Sequence, residues 1–165
     1  MVRCYVGLGS NVSDRLGMVA KALTCLASQA DVVLGRRSHM YATDPWGHED
    51  QDEFINAVCE VDTHLDPGEL LARLKAIETG VGRRQRFRWG PREIDLDILF
   101  YGDFVVAERN LRIPHPYVCE RIFVLAPLAE IVPELVHPET GLRVCDHLEE
   151  VRFRGEGLRC QNLDI

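Results

Sequence analysis

Between Ile94 and Phe100 the sequence alternates: Ile94, Leu96 and Ile98 fall on one parity, Asp95 and Asp97 on the other. Successive strand side chains point to opposite faces. This period of two therefore asks for a β-strand with unlike sides, one apolar and one acidic. Asp is a poor strand former, so one face of the sheet must pack while the other serves a different purpose. The two aspartates project together with Cα atoms ~6.6 Å apart. Ionised, they repel by ~2.5 kcal/mol at an effective dielectric of about 20, and by ~0.6 kcal/mol in water. A partly buried pair is costly unless a cation bridges it. Mg²⁺ takes one or two carboxylates plus waters and substrate phosphates, and two metals ~3.5–4 Å apart fit between such side chains. From D-x-D alone, a solvated strand face explains the pattern equally well.

The segments before this strand supply its neighbours. VRCYVGL at 2–8 reads as a buried strand and GSN at 9–11 as a turn. Ser13 or Asn11 is placed to cap a helix over about 14–29, whose Leu16, Val19, Ala20, Leu23, Leu26 and Ala27 form one stripe. A strand over about 31–42, a polar loop at 43–53 and a strand at 54–63 follow. Asp66 as N-cap, Pro67 at the first helical position and Glu69 as capping-box partner start a helix to about 79. Leu70, Leu71, Leu74 and Ile77 form its buried face. With the strand at 93–101 the order is β-α-β-β-α-β, an α+β, ferredoxin-like arrangement: an antiparallel sheet with two helices on one face. Residues 102–165 are C-terminal additions. Within them IPHPYVCERIFVLAPLAEIVPEL predicts short helices punctuated by Pro114, Pro116, Pro127 and Pro133. There is no internal repeat or interdomain linker, and 165 residues fit a single domain, 1–165.

Hydrophobic residues at 46% and charged residues at 27% are ordinary for a soluble globular protein. No apolar run approaches the ~20 residues that cross a bilayer, and MVRCYVGLGSN lacks the h-region of a signal peptide. The expectation is a cytoplasmic monomer with no membrane partner. The six cysteines are widely spaced with no CxxC pair, so neither a structural zinc site nor a disulfide framework is expected.

A net charge of −7 argues against bulk nucleic-acid affinity. The charge is uneven, however. Residues 83–92 hold five arginines (Arg83, Arg84, Arg86, Arg88, Arg92) and no acid, while 44–53 hold five acids and no Lys or Arg. A basic loop on an acidic protein points to a local anion site. Five arginines exceed what two aspartates need, whereas a polyphosphate with Mg²⁺ satisfies both signs. Trp89 and Trp46 lie in loops flanking this region and offer a stacking surface for a flat ring, with core packing as the plain alternative. GxxxxGK[ST] is absent, GLGSN is too poor in glycine for a dinucleotide fingerprint, and Ser10 lacks a G-x-S-x-G elbow. Two other classes use this sheet topology. A non-catalytic small-molecule sensor does not need acidic residues beside arginines. A single-stranded RNA binder wants exposed aromatics on the central strands, which here read acidic or aliphatic.

Along most of its length the chain resembles the 6-hydroxymethyl-7,8-dihydropterin pyrophosphokinases of folate biosynthesis. The resemblance rests on GLGSN at 7–11, Y-x-T-x-P-x-G at 41–47, Q-x-x-F-x-N at 51–56, GR at 82–83, RWGPREIDLDIL at 88–99 and PHPYVCERIFVLAPLAEIVPEL at 114–135. It implies Mg²⁺-dependent transfer of diphosphate from ATP to the hydroxymethyl oxygen of the reduced pterin, with release of AMP. By motif position Asp95 and Asp97 would bind two Mg²⁺ ions. Arg83 and Arg92 would contact the phosphates or the transition state. His115, Arg121, Arg88 and Glu78 would bind ATP. The pterin would lie between Phe123 and Trp89, with Thr43, Phe54 and Asn56 completing its pocket. Gly47 would belong to a mobile loop. The family's G-R-x-R reads GRRQR here, so Arg84 or Arg86 would replace the arginine expected at Gln85. Small-molecule substrates, and no nucleic acid, follow as partners.

Overall fold

The computed structural model describes residues 1–12, 14–44, 52–83, 92–154 and 160–162. Strand β1 (Val2–Ser10) leads to helix α1 (Arg15–Ala27), followed by β2 (Val32–Arg37), β3 (Tyr41–Thr43) and β4 (Phe54–Thr63). Helix α2 (Pro67–Val81) precedes β5 (Asp95–Tyr101) and a small hairpin of β6 (Val106–Ala107) and β7 (Arg112–Ile113). Helices α3 (Ile122–Ile131) and α4 (Val144–Phe153) and strand β8 (Cys160–Asn162) complete the order.

The main sheet runs β5-β1-β4-β3-β8, with β2 also on β4, and every pairing is antiparallel. The inner β5-β1-β4-β2 order is that of the ferredoxin-like β-α-β-β-α-β arrangement.

Three boundaries differ from the sequence-based expectation. The strand expected over 31–42 is two strands. Ser38 takes both ladder positions opposite Val58, its N–H donating to the Val58 carbonyl and its hydroxyl accepting from the Val58 N–H, at 2.9 and 3.0 Å. The His39 N–H then turns to the Glu130 carboxylate of α3, so the ladder is interrupted between Arg37 and Tyr41. The cap of α1 is Asp14, whose carboxylate accepts from the Gly17 N–H at 3.0 Å. Asn11 is used elsewhere, and Ser13 lies outside the described residues. Gly9 and Ser10 continue β1 rather than turning.

Helix α2 begins as its residues dictate. The Glu69 N–H donates to the Asp66 carboxylate at 2.8 Å and the Asp66 N–H to the Glu69 carboxylate at 2.9 Å, with Pro67 between. It ends at Gly82, whose φ of 117° is the left-handed conformation glycine adopts without cost. That turn delivers Arg83 back toward Glu78.

Each sheet face has its own core. On one side α1 and α2 pack Val19, Leu26, Leu70 and Leu74 onto Val6, Leu8, Leu96 and Ile98. On the other, α3 and α4 pack Leu125, Leu128, Leu148 and Val151 onto Tyr5, Val58, Leu99 and Phe100. The C-terminal additions therefore cover part of the second face and leave the rest as a cleft. Cys4, Cys25, Cys59, Cys119 and Cys145 are free thiols, and burial pushes Cys4 and Cys59 up to about 12. Among the described residues no helix is long and apolar enough to cross a membrane.

Candidate active site

The cleft floor is set by strand register. Asp95 pairs with Gly9 and Gly9 with Asn56; Asp97 pairs with Gly7 and Gly7 with Val58. Directly opposed residues share a face. The acids, the glycines and Asn56 thus form two rows on the side away from α1 and α2. The glycines keep these rows open. A Cβ on Gly9 would lie 2.9 Å from Asn56 Oδ1, and one on Gly7 would lie 3.3 Å from the Leu99 side chain. Asn56 is 8% exposed and donates through Nδ2 to Thr43 Oγ1 at 2.7 Å. Phe54 and Phe123, the latter from the first turn of α3, line the same cleft with Arg92, His115 and Arg121.

The segment entering β5 is tied down by the residues after β1. Ser10 Oγ donates to the Glu93 carbonyl at 2.6 Å, and the Arg92 N–H donates to Asn11 Oδ1 at 2.7 Å. This gives Ser10 and Asn11 of the GLGSN stretch a structural use.

The acids sit in a dense ionic network. Asp95 Oδ1 accepts from Arg83 at 2.7 Å, and Oδ2 pairs with Arg92. Glu78, 2% exposed, accepts at Oε1 from the Leu96 N–H and from Lys75 Nζ, both at 2.7 Å, and pairs at Oε2 with Arg83. Lys75 Nζ also donates to the Leu96 carbonyl at 2.9 Å and stands 3.8 Å from Asp95 and 3.7 Å from Asp97. Burial opposes the charged form of Asp95, but Arg92, Lys75 and Arg83 outweigh it and hold its carboxyl below the usual range. Glu78 goes the other way: burial pushes it up despite Lys75 and the Leu96 N–H. The Asp97 side chain is 40% exposed and is the open member of the pair.

His115 is anchored by its own N–H on the Leu99 carbonyl at 2.9 Å, while its Nδ1 accepts from the Tyr117 N–H at 3.2 Å. Burial lowers its pKa from the ordinary 6.5, against the pull of Asp97, which favours the neutral ring. With Nδ1 an acceptor, the proton of the neutral ring is on Nε2, leaving a donor suited to an anion. The Arg121 guanidinium carbon lies 4.6 Å from the Tyr117 ring centroid and 5.6 Å from that of Phe123. Such cation–π contacts fix its plane beside the cleft.

The structure thus brings Thr43, Phe54, Asn56, Arg92, Asp95, Asp97, His115, Arg121 and Phe123 to one cleft. Arg83 and Glu78 adjoin it through Asp95 and Leu96. Arg88 and Trp89 lie outside the described residues, as do Trp46, Gly47, Arg84, Gln85 and Arg86. Sequence reasoning missed Lys75. Its signal was slight: a lysine three residues before Glu78 on the same helix, one of two lysines in the chain.

Residues 5–133 match the family described as 7,8-dihydro-6-hydroxymethylpterin-pyrophosphokinase (HPPK). The 2-amino-4-hydroxy-6-hydroxymethyldihydropteridine pyrophosphokinase of Aquifex aeolicus is 44% identical over 138 residues, covering 84% of this chain and 85% of the relative. The protein of the same description from Methylorubrum extorquens is 48% identical over 136 residues, covering 82% and 86%. Among solved structures, wild-type Plasmodium falciparum HPPK-DHPS with SDX-DHP superposes with a TM-score of 0.74 at 18% identity. The match covers 95% of this chain and 45% of that one, so this chain spans under half its length and the likeness is one of fold.

Proposed function

The chain belongs to the 7,8-dihydro-6-hydroxymethylpterin-pyrophosphokinase family, and we propose that its cleft transfers diphosphate from ATP to 6-hydroxymethyl-7,8-dihydropterin in folate biosynthesis. The pterin hydroxymethyl oxygen forms a bond to the β-phosphorus. The bond from that phosphorus to the oxygen bridging to the α-phosphate breaks, and its electron pair leaves with AMP. The hydroxyl proton passes to solvent.

One observation carries the reading: a single cleft joins a polar and aromatic pocket to an acidic pair wrapped in cationic side chains. Transfer of this kind is mostly positioning and charge stabilisation. Phe123 and Trp89 would hold the two faces of the pterin ring. Asn56, held by Thr43, would read its polar edge, and Phe54 would close the pocket. The His115 Nε2–H, Arg121 and Arg88 are suited to the ATP phosphates. Arg83, paired through Nη1 with Glu78 and Asp95, and Arg92, paired through Nη1 with Asp95, would turn their remaining N–H groups to the phosphate chain as charge builds there. Glu78, expected at the ATP site, has its described contacts with Leu96, Lys75 and Arg83, and would act on the nucleotide through them.

The donor chemistry of Asp95 and Asp97 fits a hard divalent ion: two carboxylates on one strand face, one of them open. Among the described residues no group of three or more His, Cys, Asp or Glu is arranged to hold a metal, so phosphate oxygens would complete the coordination of two Mg²⁺ ions. Bound there, the ions would neutralise charge on the phosphate chain. The test is AMP formation from ATP that requires both Mg²⁺ and the hydroxymethyl pterin. Formation of ADP in its place would overturn diphosphate transfer. We also read 1–165 as one catalytic unit, a reading supported by β1 and β8 sharing one sheet.

A further inference from the structure

Among the described residues six charged side chains form one ion-paired cluster at the acidic end of the cleft: Glu78, Asp95 and Asp97 against Lys75, Arg83 and Arg92. Their formal charges cancel. Affinity for a hard divalent ion follows the charge of its ligands and the rigidity of the site. A cluster that is already neutral offers such an ion little.

The three cations are not equivalent. The described ion pairs of Arg83 and Arg92 near the cleft involve Asp95 and Glu78 and none reaches Asp97. Lys75 approaches both aspartates, at 3.8 and 3.7 Å, from the middle of α2. It is also pinned. Leu96 lies between the two aspartates and opposite Leu8 of β1, on a strand that forms one edge of the sheet. Its N–H donates to Glu78 and its carbonyl accepts from Lys75 Nζ, at 2.7 and 2.9 Å. Two α2 side chains thereby satisfy a residue that no further strand covers among the described residues. Withdrawing the lysine would leave that carbonyl unmet. Lys75 is thus the fixed counter-charge of the acidic pair, whereas the arginines can exchange a carboxylate for a phosphate.

We propose that Lys75 keeps Asp95 and Asp97 from holding a divalent cation in the absence of nucleotide, so that the cation loads together with a polyphosphate. The phosphate oxygens supply the negative charge that Lys75 offsets. This rests on the metal role given above to the two aspartates.

The test is titration of Mn²⁺ into the nucleotide-free full chain, with free Mn²⁺ followed by electron paramagnetic resonance. Lys75→Met keeps the aliphatic stem and removes the charge. Its Mn²⁺ affinity should exceed the wild-type value by roughly tenfold, the direction expected on removing a like charge. Lys75→Arg should bind as weakly as wild type, and adding Asp97→Asn to Lys75→Met should erase the gain. Lys75→Gln serves as the neutral variant if circular dichroism finds the methionine protein unfolded. Equal affinity in the wild type and a folded neutral variant overturns the proposal. So does a gain that survives Asp97→Asn or appears equally in Lys75→Arg. A purely structural clamp would not tighten Mn²⁺ binding. Failure of the diphosphate-transfer reading would appear separately, as wild-type protein that makes no AMP, and leaves the titration readable.

Discussion

Asn11 and Arg92 hold each other by two hydrogen bonds: the Arg92 N–H donates to Asn11 Oδ1 at 2.7 Å, and the Asn11 N–H donates to the Arg92 carbonyl at 3.0 Å. Asn11 is 1% exposed, so no solvent replaces it when it is removed. Asn11→Ala should cost about 1–3 kcal/mol, the penalty for a buried donor left unmet. It should also lower kcat at least ~10-fold, since in the proposed reaction Arg92 would reach a phosphate from a fixed backbone. Urea unfolding and steady-state AMP release measure the two effects. A stability loss with kcat unchanged would make the tether structural only.

Asp97 and Arg92 should separate by kinetic signature. Asp97→Ala should abolish turnover and leave the melting temperature near wild type, because its side chain is 40% exposed. Near-normal activity would refute the metal role. Arg92→Ala should lower kcat more than ATP affinity; the reverse pattern would make Arg92 a simple binder.

Gly9 tests the proposed pterin pocket without removing a polar group. An alanine there puts a methyl 2.9 Å from Asn56 Oδ1 and forces the carboxamide to move. Gly9→Ala should raise KM for the pterin by roughly tenfold with KM for ATP little changed. Equal increases in both would place the disturbance in the sheet rather than at Asn56.

Acid should loosen the C-terminal helix. His137 is 6% exposed and its ring lies 5.9 Å from that of His147. Burial, then His147, lowers its pKa from the ordinary 6.5. Below 6.5 the unfolded chain takes up a proton that the folded protein refuses. The stabilisation is therefore complete above that pH and is lost as pH falls through the lower folded value. Thermal melts from neutral pH downward should show a falling Tm, and His137→Gln should flatten part of the slope. An identical slope in the variant would assign the loss to other groups.

Much of this architecture is legible in local chemistry. Asp66, Pro67 and Glu69 announce the start of α2 because a capping box is closed by residues three apart. The parity of Ile94–Ile98 places Asp95 and Asp97 on the face away from α1 and α2, as found. Features made by remote partners left no such trace. Nothing near Ser38 records that Glu130 will take the next backbone N–H. Asn11, Ser13 and Asp14 are all competent caps, and the first was claimed by Arg92, far along the chain. Lys75 looks like one more solvated helix residue until β5 is laid beside it. The motifs pointed to nearly every cleft residue, yet the ion pairs that connect them became visible only in three dimensions.

The sheet's two faces divide its obligations. The core under α1 and α2 meets the cleft at Leu8 and Ala57, while the other face shares Leu99 and Val58 between the second core and the cleft. Substitutions beneath α1 such as Leu26→Val can therefore be screened for thermostability with small prospect of disturbing turnover. The same screen at Leu99 would tune both properties at once. For engineering or for drifting lineages, the core under α1, away from Leu8 and Ala57, is the place where change can accumulate silently.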